Sequence, residues 1–170
     1  MKNYINTNIP NFKIRFATKE DNKLILALIK ELADYEKLSN EVVATEEILY
    51  ESLFVKNQAE VIIGEYNNEP VGYALFFHNF STFLGKANLY LEDLYVRPNM
   101  RGFGIGKALL SALGKIAVDR GCGRLDWWCL DWNKSSIEFY KKLGAIPMDE
   151  WTVYRVENQA LIDLANGLNE

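Results

Sequence analysis

Three alternating glycines, Gly102, Gly104 and Gly106, separate a strand-like segment from a helix-like one. Residues 89–96 are mostly apolar, and residues 109–117 repeat apolar side chains at helical spacing. The first N–H groups of a helix have no intrahelical partner, and the helix dipole adds about half a positive charge there. Because glycine lacks a Cβ, the backbone of such a turn can approach a phosphate closely. The sequence therefore predicts an anion-binding loop at this point.

Three phosphate-binding patterns can be compared with this loop. The dinucleotide fingerprint G-x-G-x-x-G fails by one residue, because Lys107 occupies the position of its third glycine. The P-loop G-x-x-x-x-G-K-[ST] matches Gly106 and Lys107, but Arg101 replaces its first glycine and Ala108 its hydroxyl residue. The third pattern, [RQ]-x-x-G-x-[GA], is satisfied by Arg101, Gly104 and Gly106. The alternative is a glycine-rich turn that only closes a strand–helix corner.

Composition limits the class of protein. The chain has 170 residues, of which 49% are hydrophobic and 25% charged, as is typical of one globular domain. A formal net charge of −4 argues against a nucleic-acid-binding surface, and no apolar run reaches the ~18 residues of a membrane span. Two cysteines without a C-x-x-C pair and a single histidine do not supply a disulfide framework or a zinc site. We therefore expect a cytoplasmic protein with no metal, no nucleic-acid partner and no membrane partner.

The order of predicted elements is β-α-α-β-β-β-α-β-α-β. We interpret the polar residues 1–11 as an N-terminal extension and residues 12–170 as one domain. Antiparallel hairpins early in the chain and β-α-β units late in the chain predict an α/β domain, with a mixed twisted sheet flanked by helices on both faces. The order begins with a strand at Phe12–Phe16 and a helix capped by Thr18 and Asp21. It ends with a strand at Leu125–Leu130, a helix after Asn133 and a closing strand at Trp151–Val156, followed by a terminal helix at Asn158–Ala165.

Three further segments point to one family. They are LIKELADYE at residues 28–36, LEDLYV at 91–96 and WNKSSIEFYKKLGA at 132–145. Together with the loop, they resemble the GCN5-related N-acetyltransferase (GNAT) superfamily, and within it the diamine (spermidine/spermine) and thialysine N-acetyltransferase branch. The resemblance covers roughly residues 12–157. It implies the GNAT fold, acetyl-CoA as co-substrate, acetyl transfer to a primary amine and a homodimer. Segments 78–88 and 146–152 differ from those expected of polyamine enzymes, which leaves the amine open.

The resemblance implies three contact regions for the coenzyme. Where the family's strand bulges, the N–H groups of Leu94, Tyr95 and Val96 would bind the thioester oxygen and the pantetheine arm. The loop would bind the pyrophosphate through Arg101, Gly102, Phe103, Gly104, Ile105, Gly106 and Lys107. The start of a later helix would contact the arm through Asn133, Lys134, Ser135 and Ser136.

The chemistry implied by the resemblance needs a proton acceptor. An alkylammonium with a pKa near 10.4 is deprotonated only about one part in a thousand at neutral pH, a cost of roughly 4 kcal/mol. By resemblance, Glu92 receives this proton, directly or through water, or anchors a second ammonium group. Strand alternation places it on the face of Leu94 and Val96, where a carboxylate without a partner is costly. We interpret Asp93, on the opposite face, as structural.

The same chemistry needs a proton donor for the departing thiolate. By resemblance this is Tyr140. On a helical wheel Tyr140 lies in an apolar stripe with Phe139 and Leu143, so a buried structural tyrosine is the alternative. A nucleophilic Cys129 would require a base, and the single histidine, His78, is distant in sequence. We therefore expect Cys129 to be inert and the acetyl group to transfer directly.

A diamine favours a pocket with carboxylates at both ends and aromatic faces between them. The candidate residues are Tyr35, Glu36, Glu92, Asp126, Trp127, Trp128 and Glu150. In the alternative interpretation, Trp127 and Trp128 are a half-buried strand pair and Glu150 lies in a solvated turn. Two other functions stay open: acetylation of a protein or peptide by the same fold, and a non-catalytic acyl-CoA sensor.

Overall fold

The computed structural model describes residues 4–169, with the backbone alone at Asn169. Two compact units divide the chain, the first ending at Trp128 and the second starting at Cys129. Within the described residues, the first unit contains a six-stranded sheet in the order β1-β2-β3-β4-β5-β6. Neighbouring strands are antiparallel except β5 and β6, which are parallel. The strands are β1 Tyr4–Asn6, β2 Phe12–Phe16, β3 Glu60–Tyr66, β4 Glu69–Ser81, β5 Lys86–Val96 and β6 Leu125–Trp127.

Helices cover both faces of the sheet. In the first unit the helices are α1 Asn22–Glu36, α2 Glu46–Tyr50 and α3 Ile105–Asp119, and a π-helical turn, Glu51–Val55, continues α2. The second unit contains α4 Lys134–Lys142 and α5 Asn158–Asn166. On one face, Ile25 and Leu28 of α1 share a buried cluster with Ile63 of β3. On the other face, a Cβ placed on Gly64 would lie 3.6 Å from a methyl carbon of Leu109 in α3. Because successive strand residues point to opposite faces, these contacts confirm the predicted α/β fold with helices on both sides.

A buried ionic network ties the start of α1 to the sheet. Arg15 of β2 is 2% exposed and donates through Nε to Glu65 Oε1 of β3 at 2.7 Å. Its terminal nitrogens bond both carboxylate oxygens of Asp21 at 2.7 and 2.8 Å. The Thr18 N–H also donates to Asp21 at 2.8 Å, which confirms the predicted cap. Although burial acts to raise it, these bonds hold the pKa of Asp21 below its usual range.

Two predicted strands differ from the structure. The strand predicted at Leu125–Leu130 ends at Trp127, and the strand predicted at Trp151–Val156 has no regular secondary structure. Trp151–Val156 is rich in aromatic and β-branched residues, which favour strands. A strand also needs a neighbour for its backbone hydrogen bonds. Within the described residues, no strand pairs with this segment.

The predicted N-terminal extension, residues 1–11, contributes to the sheet. Strand β1 pairs with β2, with Ile5 opposite Ile14. Residues 1–3 lie outside the described part of the chain, as does Glu170 at the end of the predicted domain. The boundary at residue 12 stays a prediction.

Candidate active site

The glycine loop joins β5 to α3, as predicted. After a 3₁₀ turn at Pro98–Met100, the backbone is left-handed at Gly102, with φ 83°, and at Gly104, with φ 81°. A side chain at either position would be strained, which explains glycine there. Gly104 is the N-cap of α3, and no side chain caps this helix. Its first N–H groups therefore have no side-chain acceptor from the cap, as an anion site requires.

Arg101 turns back from this loop toward α1. Its Nε donates to the Val96 carbonyl oxygen at 2.9 Å. Its guanidinium carbon lies 4.4 Å from the centre of the Tyr35 ring and 5.8 Å from that of Tyr95. Sequence reasoning assigned Arg101 and Tyr95 to the coenzyme and Tyr35 to the amine, and it missed the stacking that joins them.

Strand β5 has an open edge where coenzyme contacts were predicted. On one side, residues 94–96 pair in register with β4, with Leu94 opposite Ala74 and Val96 opposite Gly72. On the other side, β5 pairs with β6 only at residues 89–91. Beyond Leu91, the described residues provide no strand partner on that side. An extended ligand carrying amide groups, such as a pantetheine arm, can pair with such an edge.

Strand β5 contains a bulge, as the family resemblance implied. Leu75 is opposite Asp93 and Phe76 is opposite Leu91, so Glu92 is the extra residue. Residues 94–96, whose N–H groups the resemblance assigns to the coenzyme, follow the bulge and pair regularly with β4. The bulge also places Leu91 and Asp93 on opposite faces, although strict alternation would put them on the same face. Alternation therefore does not fix the direction of Glu92, which is exposed.

Three carboxylates come close together at this bulge. Burial raises the pKa of Asp93 to about 6, and the negative charges of Glu92 and Glu36 act in the same direction. Burial also raises the pKa of Glu36, at the end of α1. Among the described residues, none of the three forms a salt bridge with a lysine or arginine. The result is a local excess of negative charge, as a cationic ligand would require.

Asp93 is the functional candidate that sequence reasoning set aside as structural. It accepts a hydrogen bond from Tyr73, whose hydroxyl lies 2.9 Å from Asp93 Oδ2. The available signal was the pair of adjacent acids inside an apolar strand, since a bulge allows neighbouring side chains to leave regular alternation.

Two of the predicted amine-site residues, Trp128 and Asp126, lie beside Tyr90 of β5. The Trp128 ring meets Tyr90 edge-on at 5.9 Å, and Asp126 is opposite Tyr90 in the sheet. Asp126 also forms an ion pair with Arg124, Nε to Oδ2, at 2.8 Å. Burial, followed by the charges of Glu92 and Asp126, raises the pKa of Tyr90 to about 12. Trp127 is half-buried in β6, whereas Trp128 lies beyond the strand and is 61% exposed, so the interpretation as a half-buried strand pair holds for Trp127 alone.

The second unit carries the remaining predicted residues. Asn133 caps α4 by accepting from the Ser136 N–H at 3.3 Å, and Ser135 Oγ donates to the same oxygen at 3.2 Å. Lys134 is the first residue of α4. Tyr140 lies on the same helix, with its ring centre 5.2 Å from that of Phe139. Glu150 is exposed in a turn. The predicted helix start is confirmed, and the roles of these residues stay predictions.

The sequence matches a family model described as the Acetyltransferase (GNAT) family over residues 25–145. The chain belongs to the GNAT acetyltransferase family. It is an N-acetyltransferase, and its relatives agree with the branch suggested by sequence.

The chain is 40% identical to the thialysine N-epsilon-acetyltransferase of Bos taurus, covering 89% of this chain and 96% of the relative. It is 31% identical to the L-ornithine N5-acetyltransferase NATA1 of Arabidopsis thaliana, covering 88% of this chain and 86% of that one. Among solved structures, it resembles an integron cassette protein of V. cholerae, with a TM-score of 0.77 and 28% identity over 91% of this chain and 98% of that one.

GNAT acetyltransferases use acetyl-CoA, and the first unit fits that co-substrate. A Cβ on Gly102 would meet no other atom within 4 Å, so the loop backbone is accessible. The start of α3 offers N–H donors to phosphates, and the open edge of β5 offers donors to amide oxygens. Within residues 4–169, no group of three or more His, Cys, Asp or Glu side chains could hold a metal ion. The described helices include none that is long and apolar enough to span a bilayer.

Proposed function

We propose that this GNAT enzyme acetylates a primary amine of a small diamine, polyamine or thialysine-like amino acid. The observation that carries the proposal is the carboxylate cluster of Glu36, Glu92 and Asp93, which lies beside the open edge of β5 and has no lysine or arginine ion-pair partner among the described residues. A neutral or anionic acceptor would gain nothing from this charge, whereas an ammonium group is attracted to it. The relatives named for thialysine and ornithine acetylation support an amine that carries additional charge.

In the proposed mechanism the amine attacks directly, within a ternary complex. The bound acetyl-CoA supplies a thioester. Glu92 accepts the proton of the ammonium group, directly or through water, which frees the nitrogen lone pair. Of the main-chain N–H groups of Leu94, Tyr95 and Val96, those that point to the open edge of β5 donate to the carbonyl oxygen as negative charge develops on it. The nitrogen bonds to the carbonyl carbon and the carbon–sulfur bond breaks. Tyr140 donates its proton to the departing sulfur and is reprotonated by the second proton lost from the nitrogen, so the products are the amide and free coenzyme A, and Glu92 releases its proton to solvent.

The proposed binding regions follow the predicted residues. The pyrophosphate lies against the loop from Arg101 to Lys107, and the pantetheine arm contacts residues 94–96 and 133–136. The amine contacts Glu92 and a surrounding set formed by Tyr35, Glu36, Asp126, Trp127, Trp128 and Glu150. We also propose a cytoplasmic homodimer that needs no metal and has no nucleic-acid or membrane partner. Light scattering after size exclusion tests the dimer.

An amine panel read by thiol release tests the function. The panel contains spermidine, diaminopropane, thialysine, ornithine and a lysine-containing peptide, each with acetyl-CoA. We expect release with at least one small amine and little with the peptide. Release with the peptide alone would indicate a protein acetyltransferase. Calorimetric binding of acetyl-CoA without release by any amine would indicate an acyl-CoA sensor, and no binding at millimolar acetyl-CoA would exclude the assigned loop.

A further inference from the structure

We infer that Tyr73 is a positioning residue of the amine site, whose hydroxyl keeps Asp93 oriented and ionised as an ammonium-binding carboxylate. The inference rests on the proposed function and extends it, since neither residue was assigned to the amine. It begins from the placement of Tyr73, which is fully buried in the middle of β4. A fully buried hydroxyl requires a hydrogen-bonding partner, and Asp93 Oδ2 at 2.9 Å is that partner.

The bond occupies one side of the Asp93 carboxylate. Tyr73 donates to Oδ2, and a carboxylate has acceptor capacity for further donors on both oxygens. Asp93 is also fixed by strand pairing, because it is opposite Leu75 of β4. Leu75 is two residues after Tyr73 and therefore lies on the same face of the strand. Asp93 is thus fixed in direction, whereas the neighbouring Glu92 is exposed at the bulge.

The two charged side chains that act on Asp93 are both acidic. Glu36 approaches from α1 and Glu92 from β5, while Tyr73 of β4 is the hydrogen-bond donor. Burial and the charge of Asp93 raise the pKa of Tyr73 well above 10, so its hydroxyl keeps its proton throughout the working range. No lysine or arginine of the described chain forms a salt bridge with Asp93. The cation that compensates this charge is therefore supplied by the substrate.

The hydrogen bond from Tyr73 affects the pH range in which Asp93 is ionised and can bind an ammonium group. Burial raises its pKa to about 6, and the Tyr73 hydroxyl opposes that rise because it stabilises the charged form. Deleting the hydroxyl must raise the pKa further. Asp93 would then be neutral, and unable to attract an ammonium group strongly, at pH values where the native side chain is ionised.

The test compares Tyr73→Phe with Tyr66→Phe, which deletes a tyrosine hydroxyl at the end of β3. We expect Tyr73→Phe to raise the diamine KM several-fold at pH 6, to recover toward the native value at pH 8, and to move the acid limb of kcat/KM to higher pH. Tyr66→Phe should leave all three unchanged. A loss equal at both pH values, or an unmoved acid limb, would overturn the inference.

A second measurement does not depend on turnover. The chemical shift of the Asp93 carboxyl carbon, assigned by its absence in Asp93→Asn, is followed by carbon NMR as a function of pH in the folded protein. A higher pKa in Tyr73→Phe supports the inference, and an unchanged pKa contradicts it. If Tyr73→Phe does not fold, Asp93→Asn decides the question, because native-like diamine KM in that variant would exclude Asp93 from the amine site. Failure of the native enzyme to acetylate any amine would instead remove the proposed function and leave the NMR result standing.

Discussion

Single residues around the β5 bulge show where sequence reasoning stops. The motif identified Glu92, and alternation correctly separated Asp93 from Leu94. Alternation could not reveal the extra residue in the ladder, because a bulge depends on the register of two strands, and the paired residues that flank this one are 15 and 18 positions apart. It also could not reveal the bond from Tyr73, which exists only after β4 and β5 have paired. Asp93 was therefore interpreted as structural, although it lies among acidic neighbours.

The ionised form of Asp93 serves the proposed ammonium binding but opposes folding. The pKa of Asp93 is about 6 in the folded chain and near 4 for an exposed aspartate, so folding becomes less favourable as pH rises through that window. Asp93→Asn should therefore raise the free energy of unfolding at pH 8 relative to the native chain, and by less at pH 4. Urea unfolding at the two pH values measures this. Equal effects at both values would show that Asp93 is not desolvated in solution.

Tyr140 gives the second prediction at this scale. Tyr140→Phe should keep acetyl-CoA binding and lose about 100-fold or more in kcat, the usual contribution of a general acid. Tyr154→Phe is the matched control, since Tyr154 is exposed in the same unit. Calorimetry and thiol release measure binding and turnover separately. Native turnover in Tyr140→Phe would remove this residue from the mechanism.

At the scale of elements, local signals located most helices and strands. Thr18 with Asp21, Asn133 and the glycines 102–106 all start or precede helices as expected. Each of these signals acts within a few residues, through a cap or a backbone conformation. The failures, Leu125–Leu130 and Trp151–Val156, are strands, whose extent depends on distant partners.

The glycine loop allows an element-level prediction with an internal control. Gly104→Ala places a Cβ on a left-handed residue and should cost about 1 kcal/mol of stability, while weakening acetyl-CoA binding at the helix start. Gly114→Ala, inside α3 with no atom within 4 Å of its added Cβ, should instead stabilise by about 0.5–1 kcal/mol. Thermal unfolding and calorimetry of both variants check the pair. Unchanged coenzyme affinity in Gly104→Ala would argue against this loop as the phosphate site.

For the whole molecule, stability depends on how the first unit joins its layers. Arg15 lies at a point where β2, β3 and the start of α1 meet, and it satisfies two carboxylates there. Sequence reasoning identified Asp21 as a cap but gave no sign of its ion pair with Arg15. The pair connects three elements, so its loss affects the packing of α1 on the sheet as well as one helix end.

Asp21→Asn should lower the free energy of unfolding at pH 7 by about 3 kcal/mol, because it leaves a buried guanidinium incompletely paired. The pKa of Asp21 is lowered on folding, so its contribution is present above the unfolded pKa of about 4 and is lost as pH falls through the folded value. Asp119→Asn, which breaks an exposed i,i+4 pair with Lys115, should cost about 0.5 kcal/mol or less. Denaturation at pH 7 and pH 2.5 tests both variants. Similar losses in the free energy of unfolding at pH 7 would contradict a larger role for the buried pair of Arg15 and Asp21 than for the exposed pair of Lys115 and Asp119.

The position of the β5 bulge has a consequence for how acceptor preference can change. Glu92 precedes the segment that pairs regularly with β4 and leads into the loop, whereas Glu36 and Tyr35 lie on α1. On the proposed function, a substitution at Glu36 alters the spacing of negative charge around the acceptor while the pairing of residues 94–96 with β4 keeps its register. A substitution at Tyr35 also removes the ring on which Arg101 of the glycine loop stacks, so it couples acceptor preference to the coenzyme loop.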